Sequence, residues 1–368
     1  MKEQLAERLL ARVMNWRAED VARERPILQA MAAYKYDEYQ QFKPGMRFVE
    51  SLALWLNDFT DPKHKEEAYK FVRERLLFFS TAEINHLVSI AYPDFIRPRL
   101  LHRVAADTGI SKYYLGRLLE TQALKIRQRS CLFLGLSDGA RTDIFRRANE
   151  GVITHEQVLQ TYEVKAQRGQ KLLEKLRKDL TTKIAPGVAG LDKARFSTLV
   201  LQDDFSGSGT SYLRSNGDSF EGKLQEMAAD LLNPESEAAK LFDCANTQVL
   251  LVLYIATEQA LKHIRDALAK IWGGIVNFEV IAIHPLPESI RIKPGDSLDG
   301  LLDAHYEPDV MEDEHTKKGG KTIKYGYAEC GLPLVLSHNS PNNSIYPVWN
   351  TDGKLRPLFP RVSRHKQP

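Results

Sequence analysis

Residues 198–211, TLVLQDDFSGSGTS, constrain this chain more than any other stretch. Thr198, Leu199, Val200 and Leu201 read as a short strand buried on both faces, as in a central parallel sheet. Two adjacent carboxylates, Asp203 and Asp204, come next, and then a loop of small and hydroxylic residues: Ser206, Gly207, Ser208, Gly209, Thr210 and Ser211. An open α/β sheet builds its ligand sites this way, at the carboxyl ends of its strands. Glycines let the backbone come close to an anion, and free N–H groups and hydroxyls donate to phosphate oxygens, helped by the N-terminus of a following helix. The acids in front suit ribose hydroxyls or a magnesium ion, so the segment predicts a sugar-phosphate site.

The rest of the chain bounds what surrounds that site. Its 368 residues leave room for about two domains. A net charge of +3 singles out neither nucleic acid nor an acidic partner. The three cysteines, Cys131, Cys244 and Cys330, are far apart, which points to a reducing compartment and to small core-filling roles. No Cys-x-x-Cys and no pair of histidines at ligand spacing occurs, so no protein-built metal site is expected. No apolar run reaches membrane-spanning length, and the charged N-terminal stretch MKEQLAERLL lacks a signal-peptide core. The expected location is the cytoplasm, with no membrane partner.

Residues 1–125 read as helices. Asp61-Pro62 is a helix start, and Ser80-Thr81-Ala82-Glu83 is a capping box. Within them, Ala105, Gly109 and Leu115 have the spacing of a helix-turn-helix, with Ser111 capping a second helix that carries Lys112, Tyr113 and Arg117. Such a helix can meet nucleic acid, or it can be a packing module only. From 126 onward strands alternate with helices, the pattern of a parallel sheet. Strands are expected at 130–136, 198–202, 247–255, 277–283 and 332–337. A long helix is expected from a second capping box, Thr154…Gln157, to about Thr182. Residues 286–327, rich in Pro, Gly, Asp and Lys, read as an insertion or long loop.

Two further clusters sit at strand ends. Ser137, Asp138, Gly139 and Arg141 follow the first strand. A small residue there allows close backbone approach, and an arginine can donate to an anion. His338, Asn339, Asn342 and Asn343 follow the last strand, where they can contact an acceptor or form an asparagine-rich turn.

The acidic segment resembles the phosphoribosyl-diphosphate (PRPP) signature of type I phosphoribosyltransferases. In that signature an apolar strand runs into two acids, two variable residues and a Thr-Gly-x-Thr-like loop. Gln202 and the extra Gly207 depart from it. The resemblance implies that Asp203 and Asp204 hold the ribose hydroxyls, that 206–211 cradle the 5′-phosphate, and that Ser137–Arg141 meet the pyrophosphate. The same residues also resemble the D-P-F-x-G-S-G-T loop of S-adenosylmethionine-dependent methyltransferases, although Asp204 replaces its proline and no Asp/Asn-Pro-Pro-Tyr/Phe motif follows.

The order Leu136–Ala140, then Asp203–Gly209, then His338–Ser344 is similar to the phosphoribosyltransferase-like family of bacterial conflict systems, the PRTase-CE type. That resemblance implies a Rossmann-like α/β core at 126–368 behind a winged-helix-like domain at 1–125. It also implies a cytoplasmic toxin effector of anti-phage defence, in some systems a retron with a reverse transcriptase–DNA complex as partner. Such an effector would bind PRPP or a nucleotide, with Mg2+ carried by the phosphorylated ligand. A non-catalytic nucleotide sensor that binds nucleic acid is the alternative role.

Overall fold

The computed structural model describes residues 3–161, 166–216, 219–233, 235–243, 246–312, 319–320 and 322–362. Along the chain the strands are β1 (Leu77–Phe79), β2 (Cys131–Gly135), β3 (Val158–Gln160), β4 (Thr198–Ser206), β5 (Arg214–Asn216), β6 (Ser219–Glu221), β7 (Gln248–Thr257), β8 (Asn277–Leu286) and β9 (Leu334–Leu336). Their contacts group residues into two compact units, 1–83 with 287–368, and 84–286. The division does not fall near 125, where the change from helices to strands placed it.

The second unit holds a five-stranded, wholly parallel sheet in the order β3-β2-β4-β7-β8. Every residue of β2 is buried, and so are Leu199, Val200 and Leu201 of β4 and residues 249–257 of β7. Strands covered on both faces are continuous apolar runs for this reason. Counted by appearance, the sheet order is 2-1-3-4-5. The chain adds its second strand on one side of β2 and its third on the other, so the loops after β2 and β4 part in opposite directions. Doubly wound sheets bind ligands in the crevice left at that point.

Several expectations change in three dimensions. The capping box at Thr154 forms, but it opens a single 3-10 turn, and residues 158–160 then pair with β2. The next described helix spans Ala166–Asp179, and residues 162–165 of the expected helix lie outside the described residues. Residues 334–336 do not join the central sheet: β9 pairs in parallel with β1 inside the first unit. Most of 286–327 is not a loose loop either. Short helices at Asp299–His305 and Pro308–Met311 place Leu301, Leu302 and Met311 in the core of the first unit, beside Ile323 and Tyr325. Residues 313–318 and 321, and Cys244, lie outside the described residues; Cys131 and Cys330 are buried.

The helix-turn-helix segment keeps its packing and loses its second helix. Helix Arg97–Thr108 ends at Gly109, whose φ of 69° is a left-handed value that glycine takes readily. Val104, Leu118 and Leu124 make a small core with Ala105 and Ile110 against it. The following helix spans only Leu115–Leu119 and is preceded by Tyr114, not Ser111. Lys112 and Tyr113 therefore sit on a turn and only Arg117 on a helix, too short to lie along a major groove. No strand is described between residues 80 and 130 to serve as a wing. Two local signals appear as read. Asp61 caps Lys63 N at 2.8 Å, and Ser80 and Glu83 exchange reciprocal hydrogen bonds of 2.7 and 3.0 Å. No described helix is long and apolar enough to cross a membrane.

Candidate functional site

β4 does not stop at Leu201. Its ladder with β7 continues through Asp203 opposite Leu253 and on to Ser206 opposite Ala256, so both acids lie within the strand. Successive residues of a strand face opposite sides. Asp203 therefore shares a face with Leu199 and Leu201, and Asp204 shares the other with Gln202.

The two acids live in different surroundings. Asp203 is 3% exposed. Its carboxylate accepts a hydrogen bond from the Ser137 hydroxyl and another of 2.7 Å from the Tyr212 hydroxyl. The Asp204 amide donates to it at 3.1 Å, and Lys223 Nζ stands 3.7 Å away. Burial, and then the neighbouring Asp204 charge, push the Asp203 carboxyl up to about 6 against the pull of Lys223, Ser137 and Tyr212. The Tyr212 hydroxyl is held well above its ordinary range by burial and by Asp203. Asp204 is only half-buried, and its Oδ1 accepts from the Phe205 amide at 2.8 Å.

The loop after β2 meets these acids across the crevice. Leu136 N donates to Gln202 O at 2.9 Å, which extends the β2–β4 pairing to the edge of the turn. Ser137 Oγ reaches Asp203 and also accepts from Gly139 N at 3.1 Å. A Cβ placed on Gly139 would fall on the Asp204 carboxylate. Close approach is therefore the physical reason for glycine here. Tyr254 of β7, fully buried, donates its hydroxyl to Ala140 O at 2.7 Å and fixes the far side of the turn. Arg141 has a left-handed φ of 47°, a sparsely populated region for a non-glycine residue, and its guanidinium donates to Asn85 Oδ1 at 2.7 Å.

The small-residue loop packs inward more than its composition implies. Ser206 to Gly209 are buried, Thr210 is half-buried and Ser211 is exposed. Gly209 has φ +81°, and its α-carbon is pressed toward His263, Ile264 and Ala260 O of helix Glu258–Trp272. Thr257, which caps that helix through Ala260 N, also donates its hydroxyl to Gly207 O at 2.6 Å. The helix backing the loop is thus the one after β7. What directly follows the loop is the β5–β6 hairpin, not the helix that the sequence pattern suggested. The Ser208 and Thr210 hydroxyls pair at 2.8 Å. The amides of Ser208, Gly209 and Ser211 make no hydrogen bond among the described residues. Gln202 is fully buried, with neither amide atom of its side chain partnered, and the buried Ser206 hydroxyl is likewise unpartnered.

A profile of the PRTase-CE family matches residues 52–361, more than four-fifths of the chain and both of its units. The chain belongs to the PRTase-CE family. No curated protein matches it, and no solved structure does. As a PRTase-CE member the chain is a phosphoribosyltransferase-like protein.

In this PRTase-CE chain the structure brings Ser137 and Gly139 against Asp203 and Asp204, while Arg141 reaches Asn85, all within the second unit. His338, Asn339, Asn342 and Asn343 belong to the first unit. There Asn343 Nδ2 donates to Tyr327 O at 3.1 Å, Asn339 Oδ1 accepts from Ser340 N at 3.0 Å, and the Asn342 carbonyl accepts from Tyr327 N at 2.6 Å. Asn339 thus makes a local turn contact, and Asn342 and Asn343 tie this turn to the backbone of Tyr327. Sequence reasoning missed Asn85, Tyr212, Lys223, Tyr254 and Thr257, which belong to no motif. Tyr254 carried one signal: a tyrosine inside an aliphatic buried strand needs a partner for its hydroxyl.

Proposed function

We propose that the protein binds a phosphorylated pentose, PRPP or a nucleotide, in the crevice between β2 and β4 and acts at the ribose anomeric carbon. The observation that carries this reading is the contact of Gly139 with the Asp204 carboxylate at the reversal of strand order. Two segments some 65 residues apart, each suited to one end of PRPP, meet there. Asp204 would hold the ribose hydroxyls, and the unoccupied amides of Ser208, Gly209 and Ser211 would take the 5′-phosphate. Arg141, with the Gly139 turn, would take the pyrophosphate. With PRPP the C1–O bond breaks with its electron pair leaving on pyrophosphate, with a nucleotide the C1–N bond breaks with its pair leaving on the base, and C1 becomes oxocarbenium-like. An acceptor nitrogen or water then forms the new bond and gives up its proton to solvent.

Among the described residues no three His, Cys, Asp or Glu side chains gather into a metal cage. A Mg2+ ion carried in by phosphates asks for only one or two protein carboxylates, and half-buried Asp204 fits that demand. Such an ion would neutralise charge on the departing pyrophosphate.

The test is turnover by the wild type and by Asp204→Ala. Magnesium-dependent loss of PRPP or nucleotide, reduced about 100-fold or more in the variant, supports the reading. Equal rates in both would sink it. A sensor reading draws on the closure of Asp203 by Ser137, Tyr212 and Lys223, which takes that acid out of the chemistry. It requires tight ligand binding by calorimetry with no turnover.

The biological role we propose is that of an effector in bacterial anti-phage defence, with a reverse transcriptase–DNA complex as one partner. Its support is family membership together with the tip formed by residues 112–117. Tyr113 is 82% and Tyr114 57% exposed, with Lys112 Nζ 5.4 Å from the first ring and Arg117 5.7 Å from the second. Exposed rings flanked by cations suit stacked single-stranded bases. Tyr113→Ala with Tyr114→Ala should weaken oligonucleotide binding about 10-fold or more in a gel-shift assay, and unchanged binding removes the tip from the reading.

A further inference from the structure

A second cavity lies on the Asp203 face of the sheet, outside the crevice. Its volume is about 420 Å³, within the range of small-molecule sites. Its floor is apolar: Leu134 and Leu136 from the β2 strand and turn, and Leu199 from β4. Phe242 and Met227 close the sides. One edge is polar and is made by a single helix, Lys223–Leu232, which presents Lys223, Glu226 and Asp230.

Those three side chains define what could enter. Glu226 and Asp230 stand four apart on one helix face, where like charges repel mildly. Neither carboxylate has an ion-pair or hydrogen-bond partner among the described residues. Two unpartnered acceptors over a leucine floor call for a flat, apolar-faced molecule with N–H donors along its edge. Lys223 supplies the complementary donor. Its ammonium is 3.0 Å from Leu136 O and 3.7 Å from Asp203 Oδ2, so one residue touches both this cavity and the acid pair.

We propose that this cavity is a nucleobase subsite that selects guanine. Guanine carries adjacent N1–H and N2–H donors that a carboxylate accepts as a fork, and its O6 and N7 acceptors suit an ammonium group. Adenine offers a lone pair at N1, which would face the carboxylate unpaired. Glu226 and Asp230 are both exposed, and adenine there forgoes the two-donor fork that guanine makes, which lowers its affinity. The inference rests on the pentose reading only in making the base and the sugar parts of one nucleotide.

Calorimetry of the full-length protein with guanosine and with adenosine tests it. Guanosine should bind at least about 10-fold more tightly than adenosine. That preference should vanish in Glu226→Gln combined with Asp230→Asn, while the thermal melt stays that of the wild type. Met227→Trp, which fills the cavity from the helix side, should abolish guanosine binding. Absent guanosine binding, equal affinities, or either variant binding like the wild type overturns the proposal. Titration of PRPP on the same preparation separates the two readings. PRPP binding without guanine preference sinks this inference alone, and guanine preference with neither PRPP binding nor tighter binding of guanosine monophosphate than of guanosine sinks the pentose reading alone.

Discussion

Gly139→Ala should lower affinity for a phosphorylated pentose by about 100-fold while leaving the fold intact. A methyl at this position falls on the Asp204 carboxylate, and the short side chain gives way more easily than a turn tied to Ser137 and Tyr254. The cost therefore falls on the position of the carboxylate, not on packing. Gly116→Ala is the matching control: nothing lies within 4 Å of a Cβ there, so binding should not change. Calorimetric titration of PRPP into both variants, with thermal melts alongside, reads the two effects separately. A Gly139→Ala protein that binds like the wild type would mean that Asp204 does not hold the ligand.

Asp203→Asn should make the protein more stable at neutral pH, by up to about 3 kcal/mol. In the folded protein burial and Asp204 raise this carboxyl from an ordinary 3.8 to about 6. Between those values the folded state holds a proton that the unfolded chain has released. Stability therefore falls as pH rises through this window, and the loss persists above it. Asparagine carries no charge, can still accept from the Ser137 or Tyr212 hydroxyl, and has no such dependence. Urea unfolding at pH 4, 5, 6 and 7 should show the wild type losing stability relative to the variant as pH rises. Parallel curves would mean that Asp203 ionises without penalty.

That a buried acid should carry such a penalty fits its place in the architecture. Asp203 ties Ser137, Tyr212 and Lys223 into one network at the crevice wall, whereas Asp204 lies half-buried on the opposite face of the strand. Adjacent residues on a strand alternate in direction, so one acid of a pair is turned inward whenever the other is turned toward the site. The motif reads as two equivalent carboxylates in the sequence, and strand geometry makes them unequal.

What the sequence determined by itself was local. The apolar runs of β2, β4, β7 and β8, the Asp61 cap, the Ser80–Glu83 box and the acid pair with its small-residue loop were legible because near neighbours in the chain decide them. Three-residue strands such as β1 and β3 were not, since a segment that short carries no period and becomes a strand only when a partner pairs with it. Tertiary structure alone decided the rest. It set the sheet order that brings Gly139 onto Asp204, buried Tyr254 beneath the turn, and placed β9 and its asparagine-rich turn beside β1 in the first unit. Parallel strands pair across long crossovers, so their order depends on how distant apolar faces are covered together, and no window of sequence holds that information.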